Sequence, residues 1–265
     1  MHASHLRSIA IGMFVLAAIV GLSAFAAMSQ KASAATSIEA GDLIRGETFS
    51  AVYYMGADGF RYVFVNEKTF FTWYDNFDDV VFITDEELGQ IQIGGNVTYK
   101  PGSKMIKINT DPKVYYVDEG GSLYWVSSES LATEMYGSNW NQQIDDVPDG
   151  FFSNYTITGD EAVASMADES FTDHTINEDK GLVAPEEIVI DADGFSPIDV
   201  TVDAGATVRF TNEDSERHTA TADDGSWGTG TILPGGTFVV RFEEAGTYTF
   251  YDGYDNSNTG AVYVE

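Results

Sequence analysis

From Pro185 to Glu265 the chain is a series of short alternating segments set between turns, and this regular spacing admits few folds. Strand candidates fall at 188–190, 199–202, 207–212, 237–242, 246–251 and 260–264. Short strands at even spacing with Gly, Pro and Asp/Asn turns predict a Greek-key β-sandwich. The last two candidates flank a polar loop, Asp252-Gly-Tyr-Asp-Asn-Ser-Asn-Thr259, and His218 lies upstream of it.

Residues 47–158 have another character, rich in Tyr, Phe and Val with frequent Gly and Asn turns. Ala51-Val-Tyr-Tyr-Met-Gly-Ala-Asp-Gly-Phe-Arg-Tyr-Val-Phe aligns with Lys113-Val-Tyr-Tyr-Val-Asp-Glu-Gly-Gly-Ser-Leu-Tyr-Trp-Val at an offset of 62. Each copy predicts a hairpin, and each is followed by a helix-compatible stretch, 67–74 and 129–136. Farther on, Phe77-Asp-Asp-Val80 matches Ile144-Asp-Asp-Val147. Between the copies, Thr84-Asp-Glu-Glu87 has the form of a capping box, and 96–99 and 104–108 alternate like strands around a Pro101-Gly102 turn. One hairpin-plus-helix unit is too small to bury its apolar face alone, so the region is expected to be one α+β domain of two such units sharing a core. Its aromatic density admits two readings, core and cross-strand pairs or platforms for sugar rings; the first is the more economical. Asn96-Val-Thr and Asn154-Tyr-Thr are N-glycosylation sequons.

Ahead of this domain, residues 1–34 run from His2, His5 and Arg7 through an apolar stretch, Ile9 to Ala27, to Ala32-Ser33-Ala34. That order predicts a cleaved signal peptide and hence export to the extracellular space or cell envelope. The alternative is an uncleaved anchor, since the apolar run approaches the ~20 residues that span a bilayer. Residues 35–46 read as an exposed leader, and 159–184 as an extended acidic linker with a brief helix near 161–167 and an exposed His174. The overall expectation is a mainly β, two-domain protein.

The chain carries 42 acidic against 13 basic residues, a formal charge of −29. Nucleic acid is excluded as a partner, because phosphate contact needs clustered Lys and Arg. No cysteine is present, which removes thiol catalysis, thiolate metal sites and disulfides, and leaves both domains to stand on packing. Neither His174 nor His218 lies in a nucleophile-elbow setting, and there is no P-loop, dinucleotide fingerprint or His-Glu-x-x-His motif. A non-catalytic protein is the expectation.

Taken together, Phe195-Ser-Pro197, Val202-Asp-Ala-Gly205, Val208-Arg-Phe-Thr-Asn212, His218-Thr219, Leu233-Pro-Gly235 and Gly246-Thr-Tyr248 resemble the cupredoxins in order and spacing. The 47–158 region is similar to a repeat module of exported bacterial surface proteins, on its Val-Tyr-Tyr and Asn-Glu-Lys-Thr stretches, and that resemblance implies no chemistry. The cupredoxin resemblance implies a type 1 copper site of two His, one Cys and a weak axial Met. His218 holds the first ligand position; the Cys position falls on Asp252, the second His on Asp255 and the Met on Asn258. Without a thiolate, blue copper made by this chain alone is excluded.

Three readings of the loop stay open. Metal binding has been lost and turn-formers have taken over; or oxygen ligands hold a hard cation such as calcium, with help from Asp214, Asp223 or Asp224; or His218 anchors a weak copper or zinc site. The favoured function is an exported surface or envelope scaffold using a metal-deficient sandwich. The alternatives are an unorthodox copper or electron-transfer protein and a cation-bridged surface-layer or filament subunit. Partners would be other surface proteins, an envelope polymer or further copies of the chain, with membrane contact only through an uncleaved leader.

Overall fold

A run of antiparallel strands starts the first sheet. β1 (Leu43–Gly46), β2 (Tyr53–Met55) and β3 (Arg61–Phe64) pair with Leu43 opposite Tyr54 and Tyr54 opposite Tyr62. β4 (Val80–Ile83) adds in parallel to β1 and β5 (Ile93–Val97) in parallel to β3, giving the order β4-β1-β2-β3-β5. The computed structural model describes residues 37–168 and 171–265. The expected signal peptide, its cleavage site and residues 35–36 lie outside the described residues. The last four residues of the expected exposed leader form β1 instead, with Leu43 and Ile44 buried. Two apolar residues suffice there because strands cover them on both sides.

The second sheet repeats this arrangement. β6 (Met105–Ile108), β7 (Asp111–Asp118) and β8 (Ser122–Trp125) are antiparallel. β9 (Ile144–Asp146) adds in parallel to β6 and β10 (Thr156–Glu161) to β8. Read from β9, the order is β9-β6-β7-β8-β10, strand for strand that of the first sheet. The segments related by the offset of 62 are hairpins β2–β3 and β7–β8.

Helices follow at equivalent places. α1 (Glu67–Trp73) begins at Asn66, whose side chain accepts from the Thr69 amide; it buries Phe70 with Tyr54, Tyr62 and Phe64. α2 (Asp85–Gln90) opens with the full capping box, Thr84 and Glu87 each satisfying the other's amide. α3 (Glu129–Tyr136) starts from Ser128 and buries Ala132 with Met105 and Tyr116, and α4 (Asp149–Phe152) precedes β10. The protein is mainly β, and most of the dense tyrosines are core residues.

The segment 159–184 is not an extended linker. Its start lies in β10, a 3-10 turn spans Ala164–Asp168, and α5 (Ile176–Lys180) buries Ile176 among the core residues of the first sheet. Repulsion between the acids is outweighed because Asp179 turns inward, accepting from the Gly120 amide at 3.0 Å. His174, expected to be exposed, has a side chain only 14% exposed. It stacks near Trp73 and meets the edge of Phe171.

The C-terminal part is a sandwich of two four-stranded sheets. One holds β11 (Glu186–Asp191), β12 (Gly194–Ser196), β14 (Thr207–Asn212) and β16 (Thr237–Arg241), in the order β12-β11-β14-β16. The other runs β13-β18-β17-β15, from β13 (Asp199–Val202), β15 (Thr221–Ala222), β17 (Gly246–Tyr251) and β18 (Thr259–Val264). Phe195, Phe210, Phe250 and Trp227 pack edge-on or tilted between the sheets. All six expected strands are present within a residue or two of their expected ends; β12 and β15 are too short to register as patterns.

Candidate functional site

The loop between β17 and β18 folds back on itself. Amide-to-carbonyl bonds join Asp252 to Asn258, Asp255 to Asp252 and Asn258 to Asp255. This tight course turns the Asp252 side chain inward, where it is fully buried. His218 approaches from the other side, its backbone paired in both directions with Ile232.

His218 Nδ1 lies 2.7 Å from Asp252 Oδ2, and His218 Nε2 lies 3.0 Å from Asp214 Oδ2. A carboxylate only accepts, so two carboxylate partners require both ring nitrogens to donate, which describes an imidazolium. Burial works against that charge, but the hydrogen bonds and charges of Asp252 and Asp214 outweigh it and raise the His218 pKa above its ordinary value. The hydrogen bond to His218, followed by that from the Ser215 amide, holds the Asp214 carboxyl below the usual range. Asp252 Oδ1 is occupied as well, accepting from the amides of Thr219 at 2.9 Å and Tyr254 at 3.0 Å. The buried carboxylate is thus compensated by one ion pair and two backbone donors.

The other two expected ligand positions point elsewhere. Asp255 turns to its own loop, accepting from the Ser257 hydroxyl at 2.6 Å and amide at 3.0 Å, and these bonds hold its pKa down. Asn258 Oδ1 accepts from the Phe195 amide at 3.1 Å and so ties the loop to β12. Gly194 (φ 114°) is required at that crossing, since a Cβ there would sit 2.5 Å from Asn258 Oδ1. An open cavity of about 310 Å³ is lined by His218, Asp255 and Asn258 together with Asp191 and Asp193.

This arrangement does not fit type 1 copper. Two ligands on a tetrahedral metal stand about 3.3 Å apart on bonds of about 2.0–2.1 Å. His218 and Asp252 are in direct hydrogen-bond contact instead, with the metal-binding lone pair of Nδ1 taken by a proton. Among the described residues no group of three or more His, Asp or Glu is arranged to hold a metal ion. Of the acids considered as helpers, Asp214 reaches His218, whereas Asp224 caps the Ser226 amide. Asp214 and His218 lie outside any helix, so their i,i+4 spacing gave no sign of the pairing in the sequence. The inward turn of Asp252 had no sequence mark beyond its place in the loop.

The sequons meet each other: Asn96 Nδ2 donates to Asn154 Oδ1 at 3.0 Å, and both residues are half-buried.

A family model described as "Cupredoxin-like domain" matches residues 169–264. No curated protein sequence matches the chain. Among solved structures, the purple cupredoxin of Nitrosopumilus maritimus is 26% identical, over 30% of this chain and 99% of that one, with a TM-score of 0.29. Amicyanin from Paracoccus versutus is 23% identical over 31% and 81% of the two chains, TM-score 0.29. The copper-containing nitrite reductase of Thermus scotoductus is 22% identical over 31% and 23%, TM-score 0.30. On the matched family model and the strand order of its two sheets, the C-terminal part of this chain is a cupredoxin-like domain.

Proposed function

We propose that this is an exported, non-catalytic envelope or surface protein in which the cupredoxin-like sandwich serves as a scaffold. The observation that carries the reading is the direct His218–Asp252 hydrogen bond, made where the family's copper and thiolate would meet. An imidazolium flanked by two carboxylates has no free electron pair for a metal and no redox chemistry of its own. It is a structural clasp tying the 214–218 segment to the last loop. Export rests on the leader sequence, and surface partners, an envelope polymer or further copies of the chain follow from that location. Among the described residues no helix is long and apolar enough to cross a membrane.

The test is a titration of purified protein, lacking residues 1–34, with Cu(II) and with Ca²⁺, followed by calorimetry, visible absorption and melting temperature. The expected result is no intense visible band, no binding heat and no change in melting temperature with either ion. A copper-dependent rise in melting temperature that disappears in His218→Ala would overturn the scaffold reading in favour of a copper-handling protein.

A further inference from the structure

Two clefts of the hairpin region are the same cleft made twice. The first, of about 480 Å³, is lined by residues 50–52, 63–67 and Phe70. The second, of about 330 Å³, is lined by 112–114, 125–129 and Ala132. Every one of these positions in the first cleft becomes one in the second when 62 is added to its number. Each lies where a hairpin opens and the following helix begins. Phe77, Asn96 and Phe151 complete the first wall, and Trp140 the second.

The two clefts share aromatic walls and an acidic rim, and the second differs in holding Lys113, whose ammonium lies 5.1 Å from the Trp125 ring centre. Aromatic rings supply the walls: Phe77 is 44% exposed and stacks on the buried Phe70 at 4.2 Å, while Trp125 and Trp140 serve in the second. At each rim stands one exposed carboxylate at an equivalent position, Glu67 or Glu129; the hydrogen bonds of the described residues include none to either carboxylate. Concave apolar walls with a few polar groups at the edge are the usual form of a small-molecule site.

We propose that the clefts are paired subsites for a neutral oligosaccharide, the repeating unit of an uncharged glycan. Pyranose C–H faces lie against the Phe and Trp rings, and sugar hydroxyls donate to Glu67 and Glu129. Three observations favour this occupant. Duplication of one site within one chain matches a ligand that itself repeats. A formal charge of −29 repels anionic polymers. The walls come from interior strands of both sheets, β2 with β3 and β7 with β8, so no unpaired backbone edge is offered to a peptide strand. The inference does not depend on the His218 clasp, and failure of either leaves the other intact.

Calorimetric titration of the protein with chitobiose, cellobiose and mannobiose tests it, with digalacturonate as the anionic comparison. The expected result is two equivalents of at least one neutral disaccharide per chain and none of the anion. An amide oxygen still accepts from a sugar hydroxyl but without the charge assistance, so Glu67→Gln and Glu129→Gln should each weaken one site several-fold and spare the other. Both side chains are exposed, so folding is unaffected and circular dichroism checks this. Phe77→Ala and Trp140→Ala should act site by site in the same way. The proposal is overturned if none of the neutral sugars binds, if binding ignores all four substitutions, or if only an apolar peptide competes for the clefts.

Discussion

A carboxylate buried as completely as that of Asp252 survives only with a full set of donors, and one of those donors is a titratable imidazole. His218 binds its proton more tightly in the folded protein than in the unfolded chain, since its pKa is raised by Asp252 and Asp214 against the cost of burial. The stabilisation is therefore fully present below the unfolded histidine value of about 6.5 and is lost as pH rises through the folded value. Asp214 acts with the opposite sign: its lowered pKa contributes stability above the unfolded carboxyl range that is lost as the pH falls through its folded value. The melting temperature is thus expected to decline from pH 6 to pH 9 in the native protein. His218→Gln, which has no proton to lose, should be less stable at pH 6 and should show a flatter profile over that interval. Equal slopes for the two proteins would show that His218 is neutral in the fold. In the sequence, His218 and the loop positions could be aligned with a ligand set. Their actual partners could not, because the direction of a side chain within a folded-back loop is fixed by backbone bonds between 252 and 258 that leave no periodic trace.

At the scale of elements, β16 is an edge strand, and edges are liabilities unless covered. Gln92 covers this one. Its side-chain amide donates to the Val239 carbonyl at 2.6 Å and accepts from the Val239 amide at 3.2 Å, reproducing with one side chain the pair of bonds a neighbouring strand would make. Val239 is buried among core residues of the first sheet. Gln92→Ala leaves both backbone groups short of a partner and is expected to cost about 1–3 kcal/mol. Gln92→Glu should cost more than its shape suggests, because a carboxylate cannot donate to the carbonyl. Urea denaturation of the three proteins gives the comparison. The elements visible in the sequence were those with a local signal: alternation in the sandwich strands, the capping box at Thr84 and the paired hairpins. β1 lacked one, and α5 had a capping box of its own, Thr175 with Glu178, that its acidic surroundings masked. β1 has only Leu43 and Ile44 as its buried apolar pair, and its parallel partner β4 lies more than thirty residues on. α5 buries a single Ile176 within an acidic run. Their placement depends on surfaces contributed by distant segments, and composition alone therefore read them as solvated.

Across the whole molecule, the hairpin region and the sandwich share buried charge. Asp58, almost fully buried, accepts from the Tyr62 hydroxyl at 2.5 Å and from the Arg241 guanidinium, and Arg241 also donates to Tyr62 at 2.9 Å. The Thr207 hydroxyl donates to the Asp58 carbonyl at 3.2 Å. Lys180 holds its ammonium 5.3 Å from the Tyr62 ring centre, and burial lowers its pKa. Two of these groups come from the first sheet's hairpin, two from the sandwich and one from α5, so the network closes only when all three segments are in place. Removing one partner of a buried pair strands the other, at about 3–5 kcal/mol. Residues 37–265 are accordingly expected to melt in one calorimetric transition, with the calorimetric and van't Hoff enthalpies equal. Arg241→Ala should lower stability by that amount and separate the melt into two transitions, the sandwich parting from the hairpin sheets. Asp58→Asn combined with Arg241→Met removes both charges, and should recover much of the lost stability because neither ion is left buried alone. A double variant no better than Arg241→Ala would mean that the packing of the arginine stem, rather than the compensation of Asp58, joins the two halves.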